Sequence, residues 1–170
     1  MIKERKANRM QGYDYSQNNL YFITSCVQDR VCCFGNIENQ KMVHNQYGEI
    51  AQKQWYWLGE QYPYVALHAF IVMPNHIHGI IEINSNIVGT GRDLSLQYQD
   101  NQKIKSLSEL IGAYKTTVSK QIHLLGFSDF KWQRSFHDHI IRDERSLHNI
   151  SEYIKNNPLE WEKDNLYNGK

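Results

Sequence analysis

The stretch "FIVMPNHIHGIIEI", Phe70 to Ile83, places His76 and His78 one residue apart in an otherwise apolar run. In an extended strand, residues i and i+2 share a face, so the two imidazoles project side by side. Two neighbouring imidazoles can hold one metal ion, provided a third ligand arrives from elsewhere. Pro74-Asn75 turns the chain and puts the pair at a strand start, near the sheet edge, where solvent or substrate can arrive. The plain alternative is two hydrogen-bonded polar residues at a strand end. A second pair, His137 and His139 in "FHDHII", shows how readily the spacing arises.

The third ligand and a nucleophile are sought in "NISEYIKNNPLEW". Leu147, Ile150 and Ile154 form the apolar stripe of a helix, and Tyr153 flanks that stripe. Asn157 lies four residues on, so phenol and carboxamide stack on one side of the helix. The amide oxygen could sit on a metal with the phenol beside it; the alternatives are a rim tyrosine and a helix-terminal asparagine. Tyr114 is a weaker nucleophile candidate, because it lies among Leu110, Ile111 and Val118 in an apolar stripe.

The elements that must position these groups alternate irregularly. "NLYFITSCVQ" is β-rich, and "CCFGNIENQKMVHN" suggests a short hairpin. Tyr47, Ile50, Ala51, Trp55 and Leu58 recur at helical steps until Pro63. Val65–Met73 is apolar on both faces and predicts a central strand. His76–Asn84 returns as its partner, and a two-residue turn would put His68 on the face opposite the histidine pair. A polar, Gly-containing loop over about 85–104 follows. Ser106 and Glu109 form a capping-box pattern ahead of a stripe from Leu107 to Leu125, ended by Gly126. Ser135–Asp143 predicts a further strand, and a last helix runs from about Glu144 to Asn156, with Asp143 as N-cap and Pro158 closing it. The mixture argues an α+β fold, an antiparallel sheet with helices on its faces.

The chain has 170 residues, which suits one domain spanning 1–170 with an N-terminal arm over about 1–18. No run of about 18 apolar residues exists to cross a membrane. The charged "MIKERKANRMQGYDY" lacks the apolar core of a secretory signal. Cys26, Cys32 and Cys33 are odd in number and bunched, so they give no disulfide framework and read as packing in a reducing cytoplasm. A net charge of +1 does not announce a nucleic-acid binder. Any such role needs local patches, for which Arg5, Lys6 and Arg9, and then Lys115 and Arg134, are candidates beside a solvated-surface reading.

"VMPNHIHGIIE", a helix, "WQRSFHDHIIRDE" and "YIKNNP" together resemble the REP-associated tyrosine transposases, which are single-tyrosine transposases named for a His-hydrophobe-His (HUH) motif. The resemblance runs from about Gly12 to Trp161. It implies a ferredoxin-like fold and DNA strand cleavage and rejoining through a 5′-phosphotyrosine. His76 and His78 match the metal-holding histidines, and Tyr153 matches the catalytic tyrosine. Asn157 falls where relatives carry a polar metal ligand, often Gln, one methylene longer. The implied cofactor is Mg or Mn. The implied partner is single-stranded DNA with hairpin elements, engaged by a monomer or homodimer with no membrane involved. Trp132 and Arg134, in "KWQRS", are candidates for base or phosphate contact, and the basic N-terminal segment resembles family regions that touch DNA hairpins. A non-catalytic nucleic-acid-binding module and another HUH endonuclease are the alternatives.

Overall fold

A computed structural model describes Met10, residues 12–86 and residues 103–167. Most of the polar loop over 85–104 and most of the N-terminal arm, including Arg5, Lys6 and Arg9, lie outside the described residues. The elements are β1 (Asn19–Cys26), β2 (Gly35–Glu38), β3 (Lys41–His44), α1 (Gln46–Gln61), β4 (Val65–Met73), β5 (His76–Ile83), α2 (Leu107–Leu124), β6 (His137–Ile141) and α3 (Glu144–Asn156). A 3-10 helix over Asn157–Lys163 continues α3.

Four strands form one antiparallel sheet in the order β4-β5-β1-β6. With the β2-β3 hairpin set aside, the chain reads βαββαβ, with its fourth, first, third and second strands side by side. That is the ferredoxin-like arrangement, followed by an added helix. The predicted α+β class and antiparallel sheet are present.

Local signals explain most boundaries. Asn45 caps α1 by accepting from the backbone N–H groups of Tyr47 and Gly48. Ser106 and Glu109 complete the capping box of α2, and Gly126 leaves that helix with φ of +96°. Asp143 caps α3.

The sheet separates two unequal cores. On one face α1 and α2 pack Trp55, Leu58, Leu110, Ile111 and Tyr114 onto Tyr21, Ile23, Ile77 and Ile81. Trp55 stacks on Phe70 at 4.4 Å, directly over Gly79. A Cβ there would meet the Trp55 ring at 2.6 Å, so the glycine leaves room for the indole. On the other face α3 lays Leu147, Ile150 and Ile154 over Leu20, Phe22, Ile71, Ile80 and Ile141.

Four expectations are corrected. Val65–Met73 is an edge strand, not a central one; it is apolar on both faces because helices cover both, and β5 and β1 are the strands paired on two sides. A bulge between Leu67 and Phe70 reverses the alternation, so His68 shares the face of Glu82 and bonds its carboxylate at 2.8 Å. Leu125 lies past the end of α2 and is exposed. Cys32 is exposed, whereas Cys26 and Cys33 are buried thiols whose pKa values burial pushes up, that of Cys33 to about 12.

Candidate active site

β5 carries His76 and His78 on the α3 side of the sheet, the same side as Ile80. Both rings are buried, since β5 is an interior strand and not the open edge that the turn suggested. Their Nε2 atoms face each other at 3.1 Å. Each Nδ1 is engaged behind: His78 with Thr24 Oγ1 at 2.8 Å, from the facing position on β1, and His76 with Asn75 Oδ1 at 2.7 Å.

The second bond fixes a tautomer. The Asn75 amide nitrogen donates to the carbonyl oxygens of Leu166 (2.8 Å) and Arg30 (3.2 Å), so its Oδ1 is the acceptor for His76. His76 therefore carries its proton on Nδ1 and offers a bare Nε2 lone pair. Burial, reinforced by neighbouring His78 and then Arg30, holds the His76 imidazole neutral, well below its usual pKa. Burial pushes His78 down to about 4, against a smaller upward pull from Asp164.

α3 brings Tyr153 across from this pair, with its hydroxyl 3.4 Å from His78 Nε2. Its ring meets Phe22 edge-on at 6.2 Å and is half exposed. Burial, then the charge of Asp164, raises the phenol pKa, while a hydrogen bond from the Asn157 amide opposes them. Asn157 is buried, and its Oδ1 has no hydrogen-bond partner.

Asp164 is the residue that sequence reasoning missed. Pro158 does not end the helical path but opens the 3-10 helix. That turn carries Asp164 back to the histidines, where single ligand atoms of His76, His78 and Asp164 all lie within 4.8 Å of one another. The Leu166 N–H holds one Asp164 oxygen at 2.8 Å, and the Asn157 amide approaches the other at 3.4 Å. The available signal was an acidic residue just beyond a Pro-initiated turn, which periodicity alone does not distinguish from a surface carboxylate.

The donor set fits a divalent cation. It holds two neutral imidazole nitrogens about as close as adjacent ligands of one ion, a carboxylate, and a buried amide oxygen lacking a donor.

The other candidate residues lie elsewhere. Tyr114 is fully buried on the opposite face, donates to the Ala51 carbonyl at 3.0 Å and meets Trp55 edge-on. His137 and His139 are exposed on β6. Trp132 packs between Phe34 and Phe130, each at 5.4 Å. Lys115 donates to the Gln133 carbonyl at 2.9 Å and, with Lys120, Lys131 and Trp132, lines a groove of about 770 Å³. Arg134 is exposed nearby.

A ferredoxin-like sheet with a buried histidine pair, and a tyrosine brought over it by a following helix, defines the class of domain. No protein-family model matches the chain. An uncharacterized protein of Haemophilus influenzae is 39% identical over 171 aligned positions, covering 98% of this chain and 94% of its own. A candidate REP-associated tyrosine transposase of the same organism is 26% identical, over 86% of this chain and 73% of its own. The solved structure of a REP-associated tyrosine transposase bound to a REP hairpin shares the fold, with a TM-score of 0.58 at 16% identity over 90% of this chain and 73% of that one. The chain is thus similar in sequence to one REP-associated tyrosine transposase and shares the fold of another. Among the described residues no helix is long and apolar enough to cross a membrane.

Proposed function

We propose that this protein nicks and rejoins single-stranded DNA bearing hairpin elements, through a 5′-phosphotyrosine on Tyr153, as a single-tyrosine HUH enzyme. The observation that carries the reading is the Tyr153 hydroxyl 3.4 Å from His78 Nε2, within a single chain. That these groups meet within one chain supports a monomer as the acting unit. The relative of known structure was captured with a REP hairpin, which supports hairpin-bearing DNA as the substrate.

Tyr153 Oη attacks a backbone phosphorus and forms the Tyr O–P bond as the P–O3′ bond breaks. The phenol gives up its proton, and the departing 3′ oxygen gains one. A later 3′ hydroxyl reverses the exchange on a new end, so the phosphodiester's energy is conserved. The Asn157 amide hydrogen bond favours the phenolate, while Phe22 holds the ring at the site. Thr24 and Asn75 keep the two imidazoles oriented. A divalent cation, Mg or Mn, held by His76, His78 and Asp164 with Asn157 beside it, would supply positive charge to the scissile phosphate and offset the carboxylate.

The test is incubation with a labelled single-stranded oligonucleotide carrying a short palindrome, in Mn or Mg, followed by a denaturing gel. The wild type forms a covalent protein–DNA band, and Tyr153→Phe lowers it by at least about a thousandfold. A band of full strength in Tyr153→Phe removes the nucleophile. No band from the wild type with either ion leaves a binding module.

A further inference from the structure

Beside the histidine pair lies a second cavity, of about 510 Å³, between the β2-β3 hairpin and the 3-10 helix. We infer that it is a nucleobase pocket, reading one unpaired base of the DNA strand held at Tyr153. The inference rests on the DNA-cleaving reading above and adds where sequence is recognised.

The position comes first. Pro74, in the pocket wall, is two residues from His76, and the Trp161 ring, also in the wall, lies 5.9 Å from the His76 ring. A strand crossing the histidines meets this opening next.

The chemistry of the walls is the second observation. One wall carries the carboxamides of Asn36, Asn39 and Gln40. All three residues are exposed, and among the described residues no hydrogen bond engages any of their side chains. Facing them are Pro158 and Leu159, an apolar surface on which Leu159 stands half exposed. A nucleobase has this same division, with flat apolar faces and an edge of donors and acceptors. Carboxamides pair with such edges, and unstacked bases are splayed into such pockets. Of the charged groups in the lining, Glu160 is paired with Lys163 at 2.8 Å, which leaves the carboxylate of Glu162 to disfavour a phosphate, so the base enters and the backbone stays outside.

The turn geometry supplies a clean variant. Asn39 and Gln40 have φ of 48° and 62°, the left-handed pair of a type I′ hairpin turn. Gln40→Gly removes one carboxamide and leaves Asn-Gly, the preferred pair for that turn, so the hairpin keeps its form. Asn36→Ala removes a second.

The experiment uses full-length Tyr153→Phe protein, which binds without cleaving. Fluorescence anisotropy measures its affinity, in Mn, for palindromic oligonucleotides in which each unpaired position is varied through the four bases. At one position the bases differ by about 5- to 150-fold. Adding Asn36→Ala and Gln40→Gly flattens that difference to about twofold or less while the weakest base binds as before. Leu159→Ala weakens all four bases together. Uniform binding at every position, or a preference that survives the carboxamide substitutions in a folded protein, overturns the pocket. The covalent-band assay is read separately, so its failure with a base preference intact would remove the nuclease reading and leave the pocket.

Discussion

The two faces of the sheet put their tyrosines to opposite ends, Tyr114 fully buried on one and Tyr153 half exposed on the other. Under α1 and α2 the polar atoms of Tyr114 are retired: its hydroxyl is spent on the Ala51 carbonyl and its ring is closed in by Trp55 and Trp132. Under α3 the polar atoms are aimed at one another. His76, His78, Asp164, Asn157 and Tyr153 converge where the apolar stripe of α3 ends at Ile154. The difference is one of partners, not of residue type. An open valence alone does not mark the α3 side, since Ser25 Oγ and the Trp55 and Trp132 indole nitrogens are also buried without a partner among the described residues; what marks it is several ligand atoms meeting at one point.

The largest effect expected from that contrast is on stability against pH. The folded chain keeps His78 neutral down to about pH 4, whereas the unfolded chain protonates it near 6.5. Between those values the unfolded state binds more protons, so stability is lost as pH falls through the window. His78 alone removes roughly 3 kcal/mol by the lower end, and His76, also lowered by burial, adds to the loss. Urea unfolding in EDTA at pH 7, 5.5 and 4.5 measures it. The doubly substituted His76→Gln, His78→Gln chain should show a much flatter profile. An unchanged slope would mean that the α3 face does not store this energy.

A smaller effect isolates orientation. Asn75 is a positioning residue: it accepts from His76 and donates to Leu166, tying the histidine strand to the turn that bears Asp164. Asn75→Ala should weaken Mn affinity about 10- to 100-fold by calorimetry. Asn75→Asp retains the acceptor for His76 but not the donor to Leu166, and should fall between. Wild-type affinity in Asn75→Ala would detach the network from the cation.

These contrasts were partly legible in the sequence. Strand periodicity put His76 and His78 on one face, and helical periodicity put Tyr153 beside Asn157. Neither says that the two faces meet, since that depends on α3 crossing the sheet on the histidine side. The fold class followed from element order, and the capping residues marked helix starts at Ser106 and Asp143. Strand order was harder. β4 is apolar on both sides because helices flank it, and hydropathy cannot tell that from the centre of a sheet. The bulge that turns His68 leaves no mark in the pattern. Asp164 was lost because Pro158 read as a stop, although proline also suits the first turn of a new helix.

The smallest effect on stability tests the comparison at its simplest, one hydroxyl on each face. Tyr114→Phe removes a fully buried donor from the Ala51 carbonyl and should destabilise the fold by about 1 kcal/mol. It should leave the covalent DNA band unchanged. Tyr153→Phe removes a hydroxyl from a half-exposed ring, whose partners are His78 Nε2 at 3.4 Å and the Asn157 amide, and should shift stability by no more than about 0.5 kcal/mol while the band disappears. Urea midpoints and the gel, run on both variants, give a double dissociation. If Tyr114→Phe abolished the band in a folded protein, the scaffold face would be carrying chemistry. If Tyr153→Phe were the more destabilised of the two, its hydroxyl would belong to the scaffold, because only a satisfied group is missed by the fold when it is removed.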